Sequence, residues 1–234
     1  MNKEIHAWIF VKSDSIEFPE RNRQLLNGQP LIAYTIKAAL KSRFIKKVFI
    51  STDSPDIAAV SEQYGAIVPF LRPKELSTNR VPIQQVWKHA VEWSRNQDEF
   101  ERMDIMVSLP MTVPLRTAED IDKGIELYQK GESDMVVAVA KSNRHPAYNM
   151  VKMADNSEVS LIVDNDDPFA RQVNFTAYDL TNMYFICSAE FAATDTNFFK
   201  RRTRAIEVPR EKSLEIRSKL DLRVAECLLN GDMR

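Results

Sequence analysis

Glycine is scarce in this chain, five in 234 residues, and none falls between Trp8 and Asn22, WIFVKSDSIEFPERN. There an apolar strand pattern runs into a polar loop ahead of a helix pattern. In a βαβ unit such a loop is where a nucleotide's phosphates usually sit, and glycines let backbone N–H groups close on them. Their absence excludes a glycine-rich phosphate loop and leaves any nucleotide to be held by other means. Cysteine is scarce too: Cys187 and Cys227 stand far apart in no metal-type spacing, which argues against a disulfide framework and suits a reduced, cytoplasmic compartment. His6, His89 and His145 do not cluster into a ligand set. Neither charge sign prevails. The net charge of -1 gives no global field toward nucleic acid or anionic lipid, and the one basic run, KRRTR at Lys200–Arg204, reads as a solvated loop. No apolar run is long enough to span a bilayer, and the opening MNKEIHAWIFVKSD is too short in its apolar part for a signal peptide. The expectation is a soluble cytoplasmic protein with neither a nucleic acid nor a membrane as partner.

What is present is alternation of strand and helix patterns. HAWIFVK reads as a buried strand. PLIAYTIKAALKS follows with Ile32, Ile36, Ala39 and Leu40 at helical spacing and Pro30 suited to the first turn. KKVFIST is a strand ending at Thr52-Asp53. Ser54-Pro55 is an N-cap and N1 pair opening a helix that stops at Gly65, and Asp53 reads as capping this helix region. AIVPFL is short and extended. VPIQQVWKHAVEWSRN is a helix with Ile83, Val86, Trp87 and Ala90 on one side, DIMVSLP a strand, and Thr117 caps TAEDIDKGIELYQKG, whose first turn carries Glu119 and Asp120. SDMVVAVAK is another apolar strand. Past Ala140, YNMVKMA and EVSLIVD read as a hairpin around Asp155-Asn156, AYDLTNMYFIC as a strand returning to the sheet, and RAIEVP and SKLDLRVAECLLN as a closing strand and helix. His145-Pro146 and the acidic run Asp164–Asp167 read as loop features.

Apolar runs separated by helices argue for an α/β fold: a doubly wound, mostly parallel sheet covered on both faces. Ligands bind beyond the carboxyl ends of such strands, which here are Lys12–Asp14, Ser51–Asp53 and Leu109–Thr112. A single domain is expected over 1–234, with a projecting β-hairpin.

The segments LNGQPLIAYTIKAALKS, VFISTDSPDIAAVSEQYGAIVPFLRPKELST and VPLRTAEDID, with weaker likeness in HPAYNMV, RQVNFTAYDLTNMYFI and PREKSLEIRSKLDLRVAE, follow one another as in the acylneuraminate cytidylyltransferase family. The chain resembles that family in order along almost its whole length. The resemblance implies a Rossmann-like nucleotidyltransferase fold. It also implies CTP and a 3-deoxy-ulosonic sugar acid as substrates, Mg²⁺ as cofactor, and a homodimer built through residues 141–180, a dimerisation and sugar-binding insertion. TAYDLTN is more like the branches acting on legionaminic and pseudaminic acids than the sialic acid branch.

The chemical motifs are where the chain departs. Against the family's RGGSKxxPRKN it reads KSDSIEFPERN: Lys12 at the arginine, Ser13 and Asp14 at the glycines, Ile16 at a lysine and Arg21 at another, with Ser15, Pro19 and Asn22 kept. Asp14 puts an anion where phosphates would bind, and losing a lysine removes a cation from them. The family's metal-binding DxD pair stands here as Glu215 and Arg217. Two carboxylates at i and i+2 on an extended segment share a direction and hold a hard cation. Glu215 can ligate one; Arg217, which accepts nothing, cannot. Pro110 replaces a glutamine, and Asn79, Arg80, Pro82 and Ile83 replace a more acidic and hydroxylated pattern.

On this reading Lys12, Arg21 and Arg217 are the candidate catalytic cations, and Lys12, Ser15, Asn22 and Arg72 the nucleotide contacts. Arg171, Gln172, Phe198 and Phe199 seat the sugar, and Glu215 takes the metal. The leading expectation is transfer of CMP from CTP to a nonulosonic-type acid with release of pyrophosphate. The alternatives are a non-catalytic homologue that keeps the fold and binds a nucleotide, sugar or protein, and an enzyme whose loop is rebuilt around another substrate.

Overall fold

The computed structural model describes residues 3–13, 22, 24–97, 102–164, 175–194 and 197–231. In chain order its elements are β1 (Ile5–Phe10), the two-residue pair β2 (Leu25–Leu26) and β3 (Gln29–Pro30), α1 (Leu31–Leu40), β4 (Lys47–Ser51), α2 (Pro55–Gln63), α3 (Ile83–Arg95), β5 (Ile105–Ser108) and α4 (Ala118–Gln129). There follow β6 (Met135–Lys141), β7 (Val151–Met153), β8 (Val159–Leu161), β9 (Tyr178–Ser188), the one-turn α5 (Ala189–Ala192), β10 (Thr203–Glu207) and α6 (Lys219–Asn230).

Among the described residues, six strands form the central sheet in the order β10-β6-β9-β5-β1-β4. The neighbours β1/β4, β1/β5 and β10/β6 are parallel, and β9 runs antiparallel to both β5 and β6. The strand residues alternate between two cores. Ile5, Ala7, Ile9, Val48, Ile50, Ile105 and Val107 face a layer that includes α1, α4 and α6. Trp8, Phe49, Met106, Met135 and Val137 face α3 and α5. Side chains point to opposite faces with a period of two, so a strand covered on both faces reads as a continuous apolar run. Each fully buried Ile or Leu contributes about 1.5–3 kcal/mol, and a one-residue slip would exchange the two cores.

Local chemistry sets the helix ends. The Ser54 side chain accepts from the Ile57 N–H and opens α2. Thr117 and Asp120 form a capping box at the start of α4. Pro30 lies one residue outside the turn expected for it: it is the N-cap of α1, because its residue also pairs with Leu25 in the β2–β3 ribbon. Asn27 and Gly28, both at positive φ, make the tight turn of that ribbon.

Topology also fixes where a ligand can sit. From β1 the chain moves outward to β4, then returns past β1 to β5, so the switch point lies at the carboxyl ends of β1 and β5. Because β9 is antiparallel, its first residues reach that same edge. A register shift near Ala138 is accommodated there, with the Thr181 hydroxyl donating to the Ala138 carbonyl at 3.0 Å. The hairpin β7–β8 forms its own two-stranded sheet, with Val151, Met153 and Val159 exposed. No described helix is long and apolar enough to cross a membrane.

Candidate active site

A cavity of about 470 Å³ opens at the switch point. Lys12 and Asn22 flank it beyond β1; Pro110, Met111 and Thr112 line it beyond β5; Asn182 enters from β9 and Glu215 from the segment before α6. Trp87, Phe185 and Phe198 give it an apolar wall, with ring centroids 5.9 Å apart for Trp87–Phe185 and 5.8 Å for Phe185–Phe198.

At the β1–β4 rim the charges are tied to backbone. Arg72 is 6% exposed. Its Nη1 donates to the Ser51 carbonyl and its Nη2 to the Val11 carbonyl, each at 3.2 Å, while Nε donates to the Ser77 hydroxyl at 3.0 Å. Burial holds its guanidinium below the ordinary arginine value, opposed by Asp53, 3.9 Å away. Asp53 is not a helix cap; Ser54 does that. Instead Asp53 accepts from the Ser13 N–H at 2.8 Å and the Ser13 hydroxyl at 2.6 Å, capping the loop after β1. The Asn22 amide donates to the Lys12 carbonyl at 2.5 Å, and the Lys12 ammonium donates to Asn79 Oδ1 across the cavity mouth.

The opposite rim is a side-chain network. Ile216 N–H donates to the Thr112 carbonyl at 2.8 Å, laying the 214–217 segment along the loop after β5. Behind that loop, buried Arg116 donates to the Pro110 carbonyl at 2.6 Å, and burial lowers its pKa to about 9. Lys212 pairs with Asp120 at 3.0 Å. Glu215 Oε1 accepts from Asn182 Nδ2 at 2.7 Å and Thr112 Oγ1 at 3.2 Å. Its Oε2 accepts from Arg217 Nε at 2.9 Å and forms an ion pair with Arg217 Nη2 at 2.8 Å.

Of the residues singled out from sequence, the fold brings Lys12, Asn22, Arg72, Phe198 and Glu215 into one cavity and sets Arg217 on Glu215. Phe199 is 62% exposed and lines an adjoining depression with Phe198, Pro82 and Gln85. Ser15, Arg21, Arg171 and Gln172 lie outside the described residues, as do Asp14, Ile16, Pro19 and, of the acidic run, residues 165–167. Sequence reasoning placed Thr112 at a ligand edge but gave no site role to Asn182, Trp87 or Phe185. Asn182 and Phe185 lie in a family-like segment, and the antiparallel course of β9 brings them to this edge.

A divalent metal does not fit the Glu215–Arg217 pair. A carboxylate offers about four acceptor positions; three hydrogen bonds and the ion pair with Arg217 already engage both oxygens, and the second residue of the pair offers none. Among the described residues no group of three His, Cys, Asp or Glu side chains is placed to hold a metal ion.

The profile of a family described as Cytidylyltransferase matches residues 9–215. The chain belongs to the cytidylyltransferase family. Every residue lining the cavity, from Phe10 to Glu215, falls inside the matched span. Among related cytidylyltransferases, the N-acylneuraminate cytidylyltransferase of Escherichia coli O18:K1:H7 is 31% identical over 96% of this chain and 52% of its own. The chain thus spans about half of that relative. The CMP-N,N'-diacetyllegionaminic acid synthase of Legionella pneumophila subsp. pneumophila is 29% identical over 96% of both chains. A solved CMP:2-keto-3-deoxy-manno-octonic acid synthetase complexed with CTP superposes with a TM-score of 0.70, covering 99% of this chain and 100% of its own at 12% identity, which shows a shared fold.

Proposed function

We propose that this cytidylyltransferase-family chain activates a 3-deoxy-ulosonic acid of the nonulosonic type as its CMP derivative. The observation that carries this reading is the coincidence of the family match with the cavity: one continuous span supplies its cations, its polar rim and its aromatic wall. The names of the relatives, which refer to N-acylneuraminate and N,N'-diacetyllegionaminic acid, support the substrate class.

In the reaction the anomeric hydroxyl oxygen attacks the α-phosphorus of CTP. A P–O bond forms, the bond to the bridging oxygen breaks, pyrophosphate departs with that electron pair, and the hydroxyl proton passes to solvent. The protein's part is positioning and charge neutralisation. Lys12 leaves Asn79 to meet phosphate oxygens, while Asn22 holds the Lys12 carbonyl and so the start of the loop. Phe185 and Phe198 present apolar faces to the sugar's acyl substituent. The test is pyrophosphate release from CTP with a panel of ulosonic acids. Silence across the panel, together with no CTP binding by calorimetry, would return the chain to the non-catalytic alternative.

A homodimer belongs to the same proposal. Val151, Met153 and Val159 are 52%, 73% and 61% exposed on a hairpin that, among the described residues, pairs with no strand of the main sheet, and an apolar patch of this kind suits a second copy. Light scattering on the intact protein and on Met153→Asp checks it, with a shift to monomer expected in the variant.

A further inference from the structure

We infer that Arg217 is a built-in cation for substrate phosphates, occupying the place beside Glu215 that a divalent metal would need. The inference rests on the cavity being a CTP site.

Four observations lead to it. Glu215 is one of three charged side chains lining the cavity among the described residues, with Lys12 and Arg72. A bare carboxylate there would repel a triphosphate in a partly desolvated site. The Arg217 guanidinium cancels that charge by placing Nε and Nη2 on one oxygen, Oε2, while Asn182 and Thr112 fix the other. The backbone holds Arg217 in turn: its N–H donates to Asp221 Oδ2 at 3.0 Å, at the cap where Ser218 and Asp221 start α6.

The chemistry of the pair follows. A cation entering at Glu215 would have to displace the Arg217 guanidinium, with its charge-assisted hydrogen bond and ion pair, and would gain a single carboxylate. A phosphate approaching over Glu215 instead meets a planar cation already oriented by it, and guanidinium forks match phosphate oxygens. Glu215 is then a positioning residue and Arg217 the group that touches the nucleotide. Arg217 remains 58% exposed in its side chain.

Calorimetry of CTP binding to the full chain, in EDTA and in excess Mg²⁺, tests this directly. The wild type is expected to bind in EDTA with a dissociation constant within about threefold of its value in Mg²⁺. Arg217→Gln should weaken binding in EDTA about ten- to hundredfold, the range for losing a hydrogen bond to a charged group. Arg217→Lys should retain most of it. Arg217→Asp, which restores two carboxylates at i and i+2, should bind CTP only when Mg²⁺ is supplied. Thermal melts confirm that each variant is folded, as expected for an exposed side chain. Wild-type binding that requires Mg²⁺ overturns the inference while leaving the proposed function standing, and so does Arg217→Gln binding CTP in EDTA as tightly as wild type. No CTP binding under either condition overturns the proposed function, and this inference with it.

Discussion

The two rims of the cavity hold their arginines in opposite ways. At the β1–β4 rim Arg72 is buried, and its donors reach carbonyls of the two strand ends and a loop hydroxyl. At the β5–β9 rim Arg217 is exposed, and its guanidinium grips a carboxylate side chain that lines the cavity. A buried guanidinium is part of the frame, since removing it takes a donor from two strand-end carbonyls and a neighbouring cation from Asp53. An exposed guanidinium on a surface pair adds little to stability and is available to ligand. The comparison teaches that the same residue type is held by strand-end backbone at one edge of the cavity and by a side chain at the other.

The sharpest way to break that contrast is Arg72→Met. Removing one member of a buried, hydrogen-bonded charge network costs about 3 kcal/mol or more, and urea denaturation should show a loss of that size. Arg217→Gln should move the same midpoint by less than about 1 kcal/mol. Equal losses at the two positions would erase the distinction.

The second rim has its own rigid support one layer back, at Gly124 on α4. A Cβ there would lie 2.7 Å from both Ile186 Cδ1 and Tyr184 Cζ on β9. Gly124→Ala should destabilise the fold by about 2 kcal/mol through overpacking, read as a lowered melting temperature. A neutral result would show that β9, and with it Asn182, is free to shift.

A smaller effect is expected at Asn182 itself. Asn182→Ala removes one donor from Glu215 Oε1, worth about 1 kcal/mol, and should weaken CTP binding in EDTA about fivefold with little change in melting temperature. If stability falls and binding does not, the network serves the fold and not the ligand.

Much of the frame was legible in the sequence because both cores impose short, regular patterns. The runs around Ile5–Phe10, Lys47–Ser51, Ile105–Ser108 and Met135–Lys141 are apolar on both faces, and Ser54-Pro55 and Thr117 mark helix starts by local hydrogen bonding. The ligand edge followed from strand ends alone, and Lys12, Asn22 and Glu215 do meet there. Less legible were roles that depend on partners distant along the chain. Asp53 has the look of a helix cap, yet it serves Ser13, 40 residues away. Glu215 depends on Thr112 and Asn182, 103 and 33 residues distant, brought together by the placing of β9 beside β5. No periodicity encodes such a meeting.

The smallest expected effect is a pH dependence at the buried rim. His89 packs edge-on against Phe70 with ring centroids 4.7 Å apart. Burial lowers its pKa below the ordinary 6.5; Glu92 works against that shift and the cationic Arg72 with it. A histidine with a depressed folded pKa is destabilising when charged. Between its folded value and 6.5 the unfolded chain binds more protons, so stability rises with pH across that window. The cost is absent well above 6.5, grows as pH falls toward the folded value, and is complete below it. Thermal melts between about pH 7.5 and 5 should therefore fall less steeply for His89→Gln than for the wild type. Identical slopes would mean that the imidazole is as well hydrated in the folded chain as in the unfolded one, and that the framework character of this rim stops at Arg72.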